Sequence, residues 1–176
     1  HSTTLDILKD QFLVTMLNHM REHKLLEKMD HLCVVNTGLP LNTEHFERDY
    51  YPAKVINYSE STTDFENVTI KLMYSFCKYN PEYKVLYMHT KGVTYSHDHV
   101  FLPGVQSWIR YMMYGLIDHY EKCIRMLHIY DTIGSNYRPS EDGNGQHYSG
   151  NFWWAKASYI AKLPIHQLKN KYDPEF

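Results

Sequence analysis

The chain of 176 residues carries 18 basic and 20 acidic side chains, for a formal net charge of −2, and its length favours a single domain over residues 1–176. This balance excludes the basic excess typical of proteins that bind nucleic acid or anionic membranes, and no apolar run is long enough to span a membrane. Cys33, Cys77 and Cys123 lie in separate apolar segments, which predicts reduced thiols in a cytoplasmic protein.

The first half of the chain alternates helical and strand patterns. Apolar residues recur at helical spacing through residues 5–26, which predicts a long amphipathic helix. Short apolar runs at 31–36 and 53–58 predict two strands, and the polar stretch 39–51 between them is expected to be irregular. An amphipathic pattern over residues 65–76 predicts a second helix.

The second half continues this alternation. Aromatic, β-branched and other apolar residues at 85–89 predict a buried strand, and residues 103–127 carry the apolar stripe of a helix. A strand at 129–134 and an aromatic segment at 147–155 follow, before a short helix at 156–163. Helices that alternate with strands in this way favour a mainly parallel sheet covered by helices.

The strand at 85–89 runs into a polar loop that consists of His89, Thr90, Lys91 and Gly92. In an open α/β sheet, ligands bind just beyond the carboxyl ends of the strands. A strand that ends in hydrogen-bond donors and one positive charge therefore predicts a phosphate site, with Lys91 as the cation and Thr90 and the Gly92 amide as further donors. An ordinary strand exit with a solvated lysine is the alternative.

Two further strand ends carry residues suited to a sugar. Asp131 can hold a sugar hydroxyl or cap a helix, Gly150 allows close approach of a ligand, and Asn151 offers both a donor and an acceptor. Trp153 and Trp154 must point to opposite faces of a strand, so that one can pack in the core while the other presents a flat ring to a sugar. Burial of both rings is the alternative.

Four segments, in their order and spacing, resemble a family of glycosyltransferase-like proteins from bacteria and large DNA viruses: Tyr-Met-His-Thr-Lys-Gly, Trp-x-Arg-Tyr-Met, Asp-Thr-Ile-Gly and Ser-Gly-Asn-Phe-Trp-Trp-Ala. These proteins resemble GT-A enzymes, in which a Rossmann-like sheet with helices on both faces binds a nucleotide-diphosphate sugar. The resemblance implies a GT-A-like α/β fold and transfer of a sugar from that donor to a glycan or other hydroxyl acceptor. A GT-A fold starts with a strand before the first helix, so we expect a chain trimmed at both ends.

The resemblance also suggests which residues would do the chemistry. GT-A enzymes usually carry an Asp-x-Asp metal motif, and His-Thr-Lys-Gly stands in its place here, so the metal ligands stay unknown although Mn²⁺ or Mg²⁺ is the expected cofactor. Inverting GT-A enzymes place a carboxylate base after the last helix, where this chain has Asp173 and Glu175. The expected substrate-binding residues are His89, Thr90, Lys91, Gly92, Asp131, Gly150, Asn151 and Trp153.

Two other classes of function compete with the transferase. A non-catalytic carbohydrate-binding or degenerate glycosyltransferase-like domain would keep the aromatic platform without turnover, and the missing Asp-x-Asp motif favours it. A metal-dependent hydrolase would use some of the 12 histidines. We place the hydrolase last, on the expectation that no histidine pair has the helical spacing of a metal site.

Overall fold

The computed structural model describes residues 4–59, 66–91, 99–139 and 145–164, with side chains from residue 11 onward except that of residue 59. The described part of the chain is a mixed α/β structure of six α-helices and seven short strands, which confirms the predicted class. No described helix combines the length and the apolar character needed to cross a bilayer.

The chain divides into two compact units, each built from two stretches of sequence. The first unit consists of His1–Thr63 and Thr90–Asp118, and the second consists of Asp64–His89 and His119–Phe176. The prediction of a single domain over residues 1–176 stays a prediction.

The first unit contains three α-helices and one pair of strands. The helices are α1 (Thr4–Glu22), α2 (Thr43–Asp49) and α4 (Leu102–Met113), and the strands are β1 (Leu32–Thr37) and β2 (Ala53–Ser59). A 3₁₀ turn, Leu26–Lys28, follows α1, and a π-helical segment, Tyr114–Asp118, follows α4. The two strands are parallel, and their polar ends are joined by Asn36, whose buried side-chain amide donates to Asn57 Oδ1 at 2.8 Å.

Helix α1 is shorter than the sequence predicts because a left-handed residue ends it. Lys24 has a φ of 59°, its N–H donates to the Arg21 carbonyl at 2.9 Å, and the Leu25 N–H donates to the Met20 carbonyl at 2.8 Å. These two bonds form a Schellman motif. His23 is therefore fixed at the C-cap position, directly after Glu22, the last residue of α1.

Helix α2 lies in the stretch predicted to be irregular, and that prediction is wrong. Asn42 caps the helix, since its Oδ1 accepts a hydrogen bond from the His45 N–H at 3.1 Å. Phe46 is the buried residue of the helix. A seven-residue helix with one buried side chain shows too little periodicity to be recognised from its sequence.

The second unit packs three helices with two small sheets. The helices are α3 (Asn67–Tyr79), α5 (Tyr120–Met126) and α6 (Ala157–Ile160), and the strands are β3 (Lys84–Tyr87), β4 (Thr132–Gly134), β5 (Tyr137–Arg138), β6 (His147–Tyr148) and β7 (Trp153–Lys156). Strand β7 lies between β3 and β4, while β5 pairs with β6. Cys77 of α3 packs with Ala155, Ala157 and Ile160 in the core of this unit.

The expectation of a mainly parallel sheet is wrong for the described strands. Only β1 and β2 pair in parallel, while β7 runs antiparallel to both β3 and β4, and β5 runs antiparallel to β6. In the described residues, β4 reaches β7 by way of β5 and β6 and without a helix. A strand that returns without a crossover helix pairs antiparallel to its neighbour, and the alternation of helices and strands does not reveal this.

Candidate functional site

Five polar and aromatic side chains of the second unit meet at one end of the three-stranded sheet. We call them the Glu66 cluster: Glu66, Tyr87, His89, Asn151 and Trp153. Tyr87 is the last residue of β3 and lies opposite Trp153, the first residue of β7. Glu66 directly precedes α3, where its main-chain carbonyl accepts from the Ile70 N–H at 3.0 Å. The sheet and the start of α3 thus bring these residues together.

The carboxylate of Glu66 is the centre of this cluster. Its Oε2 atom accepts from the Tyr87 hydroxyl at 3.0 Å and from the Asn151 Nδ2 at 2.7 Å. Its Oε1 atom lies 3.2 Å from His89 Nδ1. Two hydrogen bonds and one imidazole contact around a carboxylate that is only 21% exposed make a network in which each partner restricts the others.

Asn151 holds the cluster together from an unusual backbone conformation. Gly150 and Asn151 have φ angles of 97° and 55°, and asparagine is among the few residues that tolerate the left-handed region. The Asn151 side chain is only 3% exposed, and its Oδ1 accepts from Trp153 Nε1 at 2.8 Å. Because the indole can only donate and the Glu66 carboxylate accepts, these partners fix the orientation of the amide.

His89 links the two sequence motifs directly. Its Nε2 atom lies 3.2 Å from the main-chain carbonyl oxygen of Gly150, and a carbonyl can only accept, so this nitrogen donates. The imidazole also stacks on the Tyr87 ring at 6.0 Å and meets the Phe152 ring edge-on at 5.4 Å. Four of the predicted site residues, His89, Gly150, Asn151 and Trp153, therefore lie together.

The two tryptophans differ in how deeply they are buried. Trp154 is 4% exposed and belongs to the core. Trp153 is partly buried, with its ring 5.1 Å from that of Tyr87, and packs against the core that contains Cys77 and Ala155. Both faces of β7 therefore contribute to the core, and Trp153 keeps only part of its surface accessible.

The other predicted site residues either have different partners from those of the Glu66 cluster or lie outside the described residues. Asp131 pairs with Lys156, whose Nζ donates to Asp131 Oδ1 at 3.0 Å. Thr90 and Lys91 belong to the first unit, where the Lys91 ammonium lies 5.2 Å from the centre of the Trp108 ring. Three residues, Gly92, Asp173 and Glu175, lie outside the described residues. The shared pocket expected for Lys91, Asp131 and Asn151 stays a prediction.

The first unit contains a second polar cluster that the sequence analysis missed. His19 Nε2 lies 2.6 Å from Asp118 Oδ1, and His23 Nε2 lies 3.5 Å from the same oxygen. We call these three residues the His–Asp cluster. His19 and His23 are four positions apart at the end of α1, so the expectation that no histidine pair has helical spacing is wrong. Asp118 lies about a hundred residues further along the chain and gave no such signal.

Glu66 was also missed, and no signal in the sequence indicated it. The carboxylate lies 85 residues from Asn151 in the chain, and it precedes an ordinary amphipathic helix. Its importance follows only from the pairing of β3 with β7, which places Tyr87 and Asn151 on the same side of α3.

The ligand atoms of the His–Asp cluster determine which metals it suits. Mg²⁺, and to a large extent Mn²⁺, prefer carboxylate, carbonyl and water oxygens. The His–Asp cluster offers two imidazoles and one carboxylate oxygen, a set that suits zinc and similar ions instead. Among the described residues, it is the cluster in which three such ligand atoms lie within 4.8 Å of one another. It therefore does not supply the oxygen-rich site expected for a diphosphate-bound Mg²⁺ or Mn²⁺.

Together, these features define a mixed α/β protein with a closed polar network at one end of a small antiparallel sheet. The chain belongs to the family described as "Domain of unknown function (DUF8361)", whose sequence model matches residues 1–173. The chain has no significant match among curated proteins or among solved structures.

Proposed function

We propose that this protein is a GT-A-like glycosyltransferase that moves a sugar from a nucleotide-diphosphate sugar to a hydroxyl group of a glycan or similar acceptor. One observation carries the proposal. The two motifs that are most specific for the resemblance, His-Thr-Lys-Gly and Ser-Gly-Asn-Phe-Trp-Trp, are in direct contact through the hydrogen bond between His89 and the Gly150 carbonyl. Glu66 joins them a second time by binding both His89 and Asn151.

The reaction sets the requirements that the residues must meet. The bond between the anomeric carbon of the donor sugar and the terminal phosphate oxygen breaks, and its electron pair stays on the nucleoside diphosphate. The acceptor oxygen forms the new bond to the anomeric carbon and gives up its proton to a base. Positive charge and hydrogen-bond donors beside the diphosphate stabilise the transition state, since the negative charge grows there.

In this proposal Lys91 supplies the positive charge, and Thr90 and the Gly92 amide add hydrogen bonds to the diphosphate. The partly buried Lys91 side chain already lies over the Trp108 ring, which limits its freedom and favours one orientation of the ammonium. Asp173 or Glu175 accepts the proton from the acceptor, and Mn²⁺ or Mg²⁺ assists at the diphosphate. The fold proposed with this function is a Rossmann-like GT-A sheet.

His89 and Asn151 act mainly as positioning residues in the proposed site. Their polar atoms are engaged with Glu66, Gly150 and Trp153, so they hold the Ser149–Asn151 turn in a fixed shape. The exposed part of Trp153 then offers its ring to the apolar face of a sugar. A turn that is held in advance costs less conformational entropy on binding.

Ligand-induced stabilisation tests this proposal. The melting temperature of the full chain is measured with UDP and with GDP, each with and without Mn²⁺. A nucleotide at about 100 times its Kd should stabilise the folded state by about 2.7 kcal/mol. Lys91→Ala should weaken nucleotide-diphosphate binding by about tenfold or more, since a charge-assisted hydrogen bond contributes about 1.5–3 kcal/mol.

Lys84→Ala is the matched control, because Lys84 is an exposed lysine at the opposite end of β3. It should leave nucleotide binding unchanged. If neither nucleotide stabilises the chain but oligosaccharides do, the transferase is excluded, and the non-catalytic carbohydrate-binding domain becomes the better account. Equal binding by Lys91→Ala and the parent chain would remove Lys91 from the site.

A further inference from the structure

The His–Asp cluster provides three metal-ligand atoms within one compact unit. We propose that His19, His23 and Asp118 form a binding site for a divalent transition-metal ion of the zinc class. The two Nε2 atoms and one carboxylate oxygen would be the protein ligands, and the fourth position would be open. This inference is independent of the proposed transferase function, because none of its three residues takes part in the proposed transfer.

The positions of the two histidines are fixed by the end of helix α1. Residues four apart on a helix project from the same face, and the His23 N–H donates to the His19 carbonyl at 3.1 Å, which keeps the helical spacing. The Schellman motif formed by Lys24 and Leu25 then holds the backbone beyond His23. The two imidazole rings lie 4.4 Å apart at an angle of 38°, side by side.

The third ligand comes from the π-helical segment that follows α4. Asp118 is the last residue of this segment, Tyr114–Asp118. A π-helical turn inserts one extra residue and rotates the side chains that follow it, and such turns are frequent at functional sites. Here, the segment ends with the Asp118 carboxylate facing both imidazoles.

The distances from Asp118 Oδ1 to the two imidazole nitrogens, 2.6 and 3.5 Å, lie on either side of the separation that a zinc ion imposes. Ligands that lie at about 2.0–2.1 Å from a tetrahedral ion are about 3.4 Å from one another. The separation of 3.5 Å between His23 Nε2 and Asp118 Oδ1 already meets this value. The separation of 2.6 Å between His19 Nε2 and Asp118 Oδ1 is a hydrogen bond, which would lengthen by about 0.8 Å when an ion replaces the shared proton.

The burial of the cluster leaves room for an exchangeable ligand. The side chains of His19, His23 and Asp118 are 25%, 36% and 20% exposed. They are sheltered enough to be oriented, and each side chain keeps part of its surface exposed to water. Three protein ligands with one open position are typical of zinc sites that bind a water or a substrate.

A simple hydrogen bond between His19 and Asp118 would also hold α1 against the π-helical segment. That account explains one histidine but not the second, whose Nε2 faces the same carboxylate oxygen. A carboxylate oxygen can accept two hydrogen bonds, but the His23 contact, at 3.5 Å, is longer than an ordinary hydrogen bond. A cation between the three atoms would use all of them at once.

Zinc titration of the full chain by isothermal calorimetry tests the proposal. The parent chain should bind Zn²⁺ at the His–Asp cluster in a resolved calorimetric step. In His23→Ala the affinity of this step should fall by about tenfold or more, as for other losses at metal sites, so that the step is lost from the titration. Asp118→Asn should lose the same step while keeping the size of the side chain. Mg²⁺ should not compete, because imidazoles bind it poorly.

His45→Ala is the matched control. His45 and Asp49 also lie four residues apart on a helix, with His45 Nδ1 at 3.3 Å from Asp49 Oδ2, but no third ligand joins them among the described residues. This variant should bind Zn²⁺ like the parent chain. Circular dichroism shows whether each variant is folded.

The visible absorption spectrum of bound Co²⁺ tests whether the metal site is four-coordinate. Co²⁺ in a four-coordinate site absorbs visible light much more strongly than hydrated Co²⁺, and folded parent protein should show this absorption while His23→Ala should not. The proposal is overturned if folded His23→Ala and Asp118→Asn both bind Zn²⁺ as the parent does. It is equally overturned if the parent binds no more tightly than the variants.

Discussion

Glu66 and Asp118 each collect donors from distant parts of the chain, yet they use them differently. Glu66 accepts two hydrogen bonds, at 2.7 and 3.0 Å, and lies 3.2 Å from His89 Nδ1. Asp118 presents one oxygen to two imidazoles, at 2.6 and 3.5 Å. The first arrangement is a hydrogen-bond network at ordinary distances, and the second includes one contact that is longer than an ordinary hydrogen bond. The contrast indicates that the Glu66 cluster mainly stabilises the fold, whereas the His–Asp cluster is arranged for an ion.

The largest expected effect tests whether the Glu66 cluster stabilises the fold. Glu66→Ala removes the acceptor of the buried Asn151 amide and of the Tyr87 hydroxyl. Each unsatisfied buried group costs about 1–3 kcal/mol, so we expect the free energy of unfolding to fall by about 3 kcal/mol. Urea denaturation followed by circular dichroism measures it.

Glu121→Ala is the control for this change. Glu121 is 72% exposed and lies 3.9 Å from Arg125, and an exposed pair of this kind contributes less than about 0.5 kcal/mol. A loss in Glu66→Ala as small as that of Glu121→Ala would mean that the network around Glu66 has little structural weight.

A glycine substitution tests how tightly the sheet is packed beside the same cluster. Gly134 of β4 lies opposite Trp153, and a Cβ atom there would lie 2.2 Å from Cγ of the Tyr148 ring. Gly134→Ala should therefore destabilise the protein by about 2 kcal/mol, as overpacking does. The midpoint of thermal or urea unfolding reports the change.

Gly104→Ala in the first unit provides the opposite expectation. Gly104 lies in α4, and a Cβ atom there would meet nothing within 4 Å. Alanine is the better helix former by about 0.5–1 kcal/mol, so this variant should be slightly more stable. Equal effects at the two glycines would contradict the packing described beside Tyr148.

Residues that are close in sequence to a strand end were easier to predict than their partners. His89 and Asn151 were expected to face one site because each lies beside a strand, and they do meet in the Glu66 cluster. Glu66 was not expected, since nothing local marks a carboxylate whose partners arrive from β3 and β7. The same limit applies to Asp118, because a π-helical segment leaves no simple periodicity in the sequence.

The directions of the strands also could not be predicted from the apolar pattern of the sequence. Strands β3, β4 and β7 were recognised as apolar segments, but their antiparallel pairing depends on a path through β5 and β6. Those strands have two residues each, and such short strands carry no detectable alternation. Apolar periodicity therefore predicted most of the longer elements and the class, while connectivity decided the strand directions of the sheet.

For the His–Asp cluster we expect a smaller effect on stability than for the Glu66 cluster. Asp118→Asn keeps a hydrogen-bond acceptor near His19 and loses only the charge, so without added metal it should cost about 1 kcal/mol. Urea denaturation in the presence of a chelator measures this value. With saturating Zn²⁺ the difference between Asp118→Asn and the parent chain should widen, because only the parent gains binding energy. An unchanged difference would leave the His–Asp cluster as a purely structural contact.

An effect that appears only at alkaline pH concerns the cysteines, which also differ between the two units. Cys33 of the first unit is exposed, whereas Cys77 of the second is fully buried, and burial raises the pKa of the Cys77 thiol from 9.0 to about 11. An unfolded thiol loses its proton as the pH passes 9.0, while Cys77 keeps it up to about 11. Deprotonation therefore lowers the free energy of the unfolded state in this window, and the stability of the folded state falls as the pH rises.

Unfolding free energies measured between pH 8 and about pH 11 show this decline as a slope. Cys77→Ala should flatten the slope, whatever it does to stability at neutral pH, because it removes the proton that only the folded state retains. Cys33→Ala should change the slope less, since burial raises the pKa of the more exposed Cys33 thiol by a smaller amount. Cys77 is buried in the core with Ala155 and Ile160. If both variants changed the slope equally, this burial would not control the ionisation of Cys77.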